Sequence, residues 1–283
     1  MSFSHLVRFE ENGQPHYGDL IKSEDSQGHT VSLLAGDPWS GFTQTGQTKN
    51  VSKLLCPLES TPQIICVGLN YQQHASEANI SDQRITTQQL KVPTYPVIFT
   101  KPSDALAGPY DPVHVHPDAQ VQLDYEGELC VIIGRDVKNI SEKDALDCVL
   151  GYTAGNDVSA RNFQLPTASG GQYCYAKSFD GFAPIGPAIW SPSVVPDPQS
   201  LHYKTKVNGE VVQQTSTGDM IWSVRQLIAH LARGTTLRRG TVIMTGTPSG
   251  VGFFRNSFLK DGDIVEIEVD GLGKVSNRMH FDS

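Results

Sequence analysis

Short apolar runs bounded by turn residues recur along the chain, and this pattern predicts strands. Residues 64–68, 97–100 and 129–134 are runs of this kind, and residues 264–269 form another near the end. Asn-Gly pairs at 12–13 and 208–209 lie beside such runs, where they predict tight hairpin turns. The pattern therefore favours a mixed, mainly antiparallel β architecture.

Helical spacing is confined to short stretches. Apolar residues recur at helical intervals between 220 and 231, which predicts a helix that begins near Asp219 and ends at Gly234. Residues 141–144 resemble a capping box, which predicts a short helix over 145–150. Because strands outnumber helices, the predicted fold class is mainly β with minor helices (α+β).

The chain divides into two regions near residue 60. Residues 1–60 are predicted to form a small N-terminal domain of short strands and turns, and residues 61–283 the main domain. Within the main domain, residues 72–95 are polar and have no sustained apolar period. A segment of that length without a core face is predicted to be a lid over a functional site or a disordered loop.

Charge and cysteine content narrow the classes of function. The net charge is −8 and there is no Lys/Arg run, which argues against a nucleic-acid or anionic-membrane partner. The five cysteines include no Cys-x-x-Cys pair, so we expect reduced, mostly buried thiols in a cytoplasmic protein. No apolar stretch approaches the length of a membrane span, and no signal peptide is evident.

Glu126 and Glu128 stand one residue apart at the entrance to the apolar run 129–134. On a strand, residues i and i+2 share a face, so the two carboxylates would repel each other and lose hydration unless something compensated them. A hard divalent cation is the simplest compensation, and Asp157, in a small-residue turn after another apolar segment, is a natural third ligand. The alternative is an edge strand with solvated acids.

His74 and Glu77 are three residues apart, which would bring them to one face of a helical turn. A carboxylate beside an imidazole fixes the tautomer of the ring and stabilises its cation, as a general base requires. The alternative is an ordinary surface pair at the start of a loop.

Several further polar residues could bind an anionic substrate. Lys177 lies between apolar residues, either as a snorkelling side chain or as a cationic clamp. Arg161 and Gln164 follow Asp157 closely, and Lys101 follows the apolar run 97–100.

Thr247 lies in a glycine-rich turn at residues 245–252, after a predicted strand. Such a turn can present backbone N–H groups and the Thr247 hydroxyl to an anion, and it can equally be a purely structural tight turn.

His114 and His116 alternate on a predicted strand, as a metal-binding pair would. No third nitrogen or sulfur ligand is nearby in the sequence, so structural roles are favoured for both.

Taken together, these segments resemble the fumarylacetoacetate hydrolase family over roughly residues 60–280. The matching pieces are residues 67–71 with His74 and Glu77, 97–103, 124–129, 155–164, 176–179, 207–209 and 244–248. The extra upstream aspartate ligand of the full-length members has no counterpart that we can assign, and Asn162 stands where relatives often carry Asp.

The resemblance implies a β-roll of mixed strands with a small N-terminal domain, and a homodimer. It implies Mg²⁺, with Mn²⁺ or Ca²⁺ as substitutes, bound by Glu126, Glu128 and Asp157. The fit is to the branch of acylpyruvate hydrolases and oxaloacetate decarboxylases, which act on small anionic 2-oxo acids. Because family members without the His-x-x-Glu dyad tend to be isomerases, its presence here favours bond cleavage.

The implied activity is metal-dependent hydrolysis of a C–C bond in a 2,4-dioxoacid through an enolate. In that scheme Arg161, Gln164 and Lys177 hold the carboxylate or the developing oxyanion, and His74, oriented by Glu77, activates water. Alternatives on the same scaffold are a 2-oxo acid decarboxylase, for example of oxaloacetate, and an isomerase or tautomerase. A non-catalytic binding protein that kept the fold is a third class.

Overall fold

Strands are more abundant than helices in the structure, a computed structural model that describes residues 3–24, 28–82 and 93–283. The strands are β1 (His5–Glu11), β2 (Gln14–Glu24), β3 (Gly28–Asp37), β4 (Gly41–Val51), β5 (Leu54–Leu55), β6 (Ile64–Gly68), β7 (Val97–Lys101), β8 (Leu106–Ala107), β9 (Val113–Val115), β10 (Leu123–Asp124), β11 (Gly127–Ile133), β12 (Val149–Asn156), β13 (Ser159–Ala160), β14 (Ala183–Trp190), β15 (His202–Val207), β16 (Glu210–Ser216), β17 (Val242–Met244), β18 (Ile264–Val269) and β19 (Gly273–Phe281). The α-helices are α1 (Gln72–Asp82), α2 (Pro166–Ser169), α3 (Val224–Leu231) and α4 (Gly252–Arg255). Short 3-10 turns cover Ser103–Ala105, Pro117–Ala119, Ala145–Cys148, Arg161–Phe163, Tyr175–Lys177 and Thr217–Asp219.

Two large sheets and one two-stranded sheet, formed by β10 and β13, contain these strands. The larger runs in the order β4-β3-β2-β1-β14-β12-β11-β17-β6-β7, and the smaller in the order β16-β15-β18-β19-β9. Most neighbours are antiparallel, with parallel pairs at β17–β6, β9–β19 and β8–β14. The predicted fold class, mainly β with mixed sheets and minor helices, is confirmed.

The N-terminal strands extend the larger sheet. Strands β1 to β4 form an antiparallel meander, and β1 pairs with β14 through His5 and Trp190. The turn at Asn12 and Gly13 has positive φ at both residues, as does the turn at Asn208 and Gly209, so both predicted hairpins form. A domain boundary near residue 60 stays a prediction.

Strand β11 lies at the centre of the larger sheet, and all its residues are buried. Its side chains alternate between two hydrophobic cores, with Leu129, Val131 and Ile133 in one and Cys130 and Ile132 in the other. A strand covered on both faces has a continuous apolar sequence, which is why the run 129–134 was recognisable.

Two predicted helices begin or end elsewhere than expected. Helix α3 begins at Val224, because Ser223 and Gln226 form a capping box there, and Met220 instead pairs with Tyr71 in a β-bridge. The helix predicted over 145–150 is a 3-10 turn that ends at Cys148, since Val149 opens strand β12.

The segment predicted as a lid begins as helix α1, not as a loop. Residues 83–92 of that segment lie outside the described residues, so the lid itself stays a prediction. Within the described ranges no helix is long and apolar enough to cross a membrane. The thiols of Cys66, Cys130 and Cys148 are free and buried, whereas Cys174 is exposed.

Candidate active site

The antiparallel pairing of β11 with β12 brings three carboxylates together. Gly127 lies opposite Asn156, so Glu126 and Asp157 meet where the paired strands end, and the Asp157 N–H donates to the Glu126 carbonyl at 2.9 Å. Oxygen atoms of Glu126, Glu128 and Asp157, the carboxylate triad, lie within 4.8 Å of one another. All three side chains are buried. The fold thus brings together the three residues that the sequence nominated as metal ligands.

The glycine-rich turn after β17 holds one member of the triad. The Gly246 N–H donates to Glu128 Oε2 at 2.7 Å. Gly246 has φ of +101°, and a Cβ there would lie 2.8 Å from the Cβ of Asn70. Glycine is therefore required at this position both for its backbone conformation and for space.

Two cationic side chains reach the triad from one side. The Lys177 ammonium lies 2.8 Å from Asp157 Oδ2 and 3.0 Å from Glu126 Oε2. The Arg161 guanidinium lies 2.6 Å from Glu126 Oε1, and its Nη1 donates to Gln164 at 2.9 Å. Lys177, Arg161 and Gln164, three residues predicted to contact substrate, therefore share one network with the triad.

Lys101, which the sequence suggested as a substrate-binding cation, is buried behind the triad. Its ammonium lies 2.6 Å from Asp157 Oδ1 and donates to the carbonyls of Val158, Lys177 and Phe182. An ammonium has three N–H groups, and these oxygens take all of them. The structure places Lys101 behind Asp157, where it compensates the carboxylate charge, and substrate binding by this residue stays a prediction.

Asp124 was not nominated from the sequence, yet it orients the arginine. The fully buried carboxylate accepts from Arg161 Nε at 2.8 Å and from the N–H groups of Gly252 and Phe253 at 2.8 and 2.9 Å. It thereby fixes both the guanidinium and the start of α4. An acid between Leu123 and Tyr125, two residues with apolar side chains, was the signal available in the sequence.

The charges around the triad are unevenly distributed. Burial works to raise the pKa of Glu126, but Lys177 and Arg161 outweigh it and hold that pKa at about 2. Burial and the neighbouring Asp157 and Glu126 carboxylates raise the pKa of Glu128 well above its usual range. Among the described side chains no cation pairs with Glu128.

This arrangement fits a divalent cation. The donor set consists only of carboxylate oxygens, which hard ions such as Mg²⁺, Mn²⁺ and Ca²⁺ prefer. Among the described side chains no cation compensates the ionised form of Glu128, and a divalent cation among the three carboxylates would do so.

The His74–Glu77 dyad forms on the first turns of α1. His74 Nδ1 lies 3.2 Å from Glu77 Oε2, and the Glu77 carboxylate also accepts from the Gly250 N–H at 3.1 Å. The imidazole packs against the ring of Phe254 at 5.7 Å between centroids. With Nδ1 engaged by Glu77, Nε2 is the ring nitrogen left to act on another molecule.

One cavity of about 420 Å³ connects these groups. Its polar lining includes His74, Glu126, Arg161, Gln164 and Lys177. Its apolar lining includes Val67, Phe99, Leu165, Tyr173, Val251, Phe253 and Phe254. His74 and the cationic side chains therefore face the same cavity from different elements.

Thr247 also lines this cavity, but its hydroxyl is engaged with protein. Oγ1 donates to the Gly127 carbonyl at 3.0 Å and accepts from Gln213 Nε2 at 2.8 Å. While these bonds hold, the hydroxyl has no proton for an anionic substrate. Thr247 thus supports the strand that carries Glu128, and substrate binding by this residue stays a prediction.

Comparison with known proteins gives a consistent result. Residues 63–280 match the fumarylacetoacetate (FAA) hydrolase C-terminal family, and residues 5–57 match the Rv2993c-like N-terminal family. The mitochondrial oxaloacetate tautomerase of Xenopus laevis is 42% identical, over 96% of this chain and 89% of that protein.

Solved structures of similar proteins have the same overall fold. The 2-hydroxyhepta-2,4-diene-1,7-dioate isomerase of Mycobacterium marinum superposes with a TM-score of 0.82 at 32% identity, over 99% of each chain. The fumarylacetoacetate hydrolase of Exiguobacterium antarcticum superposes with a TM-score of 0.81 at 32% identity, over 99% of this chain and 100% of that one. This chain is an enzyme of the fumarylacetoacetate hydrolase family.

Proposed function

We propose that the protein interconverts the keto and enol forms of a small 2-oxo acid of the oxaloacetate type, with a divalent cation as cofactor. The observation that carries this proposal is one cavity lined by Glu126 of the carboxylate triad, by Arg161 and Lys177, and by His74 of the His74–Glu77 dyad. The name of the Xenopus relative, an oxaloacetate tautomerase, supports the substrate class.

The carboxylate triad would hold the cation, which would supply Lewis-acid stabilisation of negative charge on the substrate's keto oxygen. Arg161 and Lys177 bring two further positive charges to the cavity wall. The guanidinium has five N–H groups, and its contacts with Asp124, Glu126 and Gln164 leave donors for a substrate carboxylate. Because these contacts fix its orientation, binding an anion requires little reorganisation.

His74 is the proton carrier in this proposal. A 2-oxo acid loses a proton from the carbon beside its keto group to form the enol, and a base within hydrogen-bond reach must accept it. Nε2 of His74 takes this proton from the carbon and delivers it to the former keto oxygen to give the enol, and the reverse transfer restores the keto form, while Glu77 stabilises the imidazolium at Nδ1. The Gly250 N–H holds Glu77, so the dyad keeps its orientation while the proton moves.

The test is a tautomerisation assay with oxaloacetate and Mg²⁺, followed through the ultraviolet absorbance of the enol. Mg²⁺ in buffer without protein provides the background rate. We expect protein to accelerate the interconversion, Arg161→Ala to abolish most of that acceleration, and Arg225→Ala, at an exposed position on α3, to leave it unchanged. A rate equal to the Mg²⁺ background with wild-type protein would contradict the proposal.

Hydrolysis of a C–C bond in a 2,4-dioxoacid is the second candidate, and the dyad favours it. A histidine oriented by a carboxylate can deprotonate water as well as carbon. The hydroxide would add to the distal carbonyl, the C–C bond would break, and its electron pair would remain on the 2-oxo acid fragment as the enolate. The apolar walls formed by Phe99, Val251 and Phe253 suit the acyl part of such a substrate.

Product analysis separates the candidates. Acetylpyruvate, fumarylpyruvate and oxaloacetate are incubated in parallel with Mg²⁺ and protein. Hydrolysis releases pyruvate and a second acid, decarboxylation of oxaloacetate releases carbon dioxide, and tautomerisation changes only the enol absorbance. Pyruvate formed from acetylpyruvate faster than the enol interconversion of oxaloacetate would make the protein primarily a hydrolase.

A further inference from the structure

A second group of metal-ligating side chains lies at the edge of the smaller sheet, on different strands from the active site. Strand β9 pairs in parallel with β19 and brings His114 directly opposite His280. The two imidazole rings lie 4.8 Å apart between centroids. Asp282 follows β19, and its Oδ1 lies 2.9 Å from His114 Nδ1 and 3.9 Å from His280 Nε2.

The sequence indicated one member of this group. His114 and His116 suggested a pair of nitrogen ligands that lacked a third partner nearby in the chain. The fold supplies His280 and Asp282 from the C-terminal strand instead. His116 is turned to another contact, since its Nδ1 accepts from the Asp118 N–H at 3.2 Å.

We propose that His114, His280 and Asp282 bind a divalent cation of the zinc type. One ligand atom from each residue lies within 4.8 Å of the other two, so a small movement of exposed side chains completes the chelation. In the bound form the cation takes the place of the proton shared by His114 and Asp282. Water would complete a tetrahedral shell, as in zinc sites with three protein ligands.

The chemistry of this group differs from that of the active-site triad. Two imidazoles and one carboxylate favour Zn²⁺, Ni²⁺ or Cu²⁺ over Mg²⁺, which prefers oxygen. The three side chains are 60%, 56% and 43% exposed, so an ion reaches them without any opening of the fold. The two centres should therefore select different ions.

The backbone beneath the group is already fixed. The Asp282 N–H donates to the Val115 carbonyl at 3.0 Å, and Gln120 Nε2 donates to the Asp282 carbonyl at 2.8 Å. A bound ion would add a cross-link between β9 and β19, and ligands that bind only the folded state raise its stability. We infer that the ion stabilises the pairing of the C-terminal strand β19 with the edge strand β9.

Calorimetric titration with Zn²⁺, in excess Mg²⁺ at neutral pH, tests this inference. We expect a Zn²⁺-binding event with a stoichiometry of one in wild-type protein, and its affinity should fall at least tenfold in His114→Ala and in His280→Ala. His116→Ala, a neighbouring exposed histidine outside the group, should keep it. The event should persist in Glu128→Gln, which disables the triad. Loss of the event in Glu128→Gln, or unchanged affinity in His114→Ala and His280→Ala, would overturn the proposal.

Thermal unfolding provides a second readout. At saturating Zn²⁺ the midpoint should rise by ~5 °C in wild-type protein and in His116→Ala, but not in His114→Ala. Without Zn²⁺ all these variants should unfold at the same temperature, because the substituted side chains are exposed. If His280→Ala unfolds early, Asp282→Ala replaces it in the comparison. An equal rise of the thermal midpoint in wild-type and His114→Ala protein would contradict this cross-link.

Discussion

The two walls of the active-site cavity are built in different ways. The wall at the ends of β11 and β12 carries the carboxylate triad: Glu128 lies on β11, and Glu126 and Asp157 lie directly beside the ends of the two buried strands. Its side chains form ion pairs and hydrogen bonds with the backbone. The wall formed by α1 carries His74 and Glu77 on a peripheral helix. It is tied to the 245–252 turn mainly through the bond between Glu77 and the Gly250 N–H.

This difference suggests that the two walls have different roles in the reaction. A site that binds an ion and orients an anion benefits from side chains that cannot move, because preorganised charges need no rearrangement as the reaction proceeds. A residue that carries a proton must reach the substrate, and a helix at the periphery of the sheet can bring its base there. We therefore expect the strand wall, called the binding wall below, to bind and orient the substrate, and the helix wall to supply the base.

The sharpest test of the binding wall is Glu128→Gln. Activity should fall by about 10³-fold or more, because the triad loses the charge that a divalent cation would neutralise. Urea unfolding without cation should show equal or greater stability than wild type, since the substitution removes a crowded buried carboxylate. The exposed Glu142→Gln is the matched control and should change neither quantity. Retained Mg²⁺-dependent activity in Glu128→Gln would remove the triad from the mechanism.

The helix wall is tested by His74→Ala. We expect kcat to fall by about 10²–10⁴-fold, as for loss of a general base, with a much smaller change in KM. His202→Ala, at an exposed position on β15, should be neutral. A large rise in KM with unchanged kcat would show that His74 binds substrate and does not transfer the proton.

Lys101→Met probes the rigidity of the binding wall. It leaves Asp157 buried without the ammonium at 2.6 Å, so the free energy of unfolding should fall by about 3–5 kcal/mol. Lys53→Met breaks an exposed ion pair with Glu10 and should cost less than about 1 kcal/mol. Equal losses in urea unfolding would mean that Lys101 does not compensate Asp157.

Glu77→Gln should have the smallest effect. A glutamine can still accept from the Gly250 N–H, so α1 should keep its position while the imidazolium loses its stabilising charge. We expect kcat to fall by about tenfold, with an unchanged thermal midpoint. A fall in kcat as large as that in His74→Ala would show that Glu77 is needed to hold helix α1 in position and not only to stabilise the imidazolium.

The sequence predicted the binding wall better than the residues that support it. Glu126, Glu128 and Asp157 could be grouped because strand alternation and the ends of two apolar runs are local patterns. The position of Lys101 depends on carbonyls 57 to 81 residues away, so nothing near it distinguishes a cavity cation from a buried one. The start of α3 was misplaced because the apolar residues before Val224 pack at helical spacing without being helical.

The raised pKa of Glu128 has a consequence for thermodynamic linkage. A carboxyl that keeps its proton to higher pH than usual must release that proton before it can ligate an ion. Cation affinity should therefore increase with pH until Glu128 is ionised in the free protein. Calorimetric heats of Mg²⁺ binding should then differ between buffers in proportion to their ionisation enthalpies. In this way the active site would couple metal occupancy to the proton concentration around the protein.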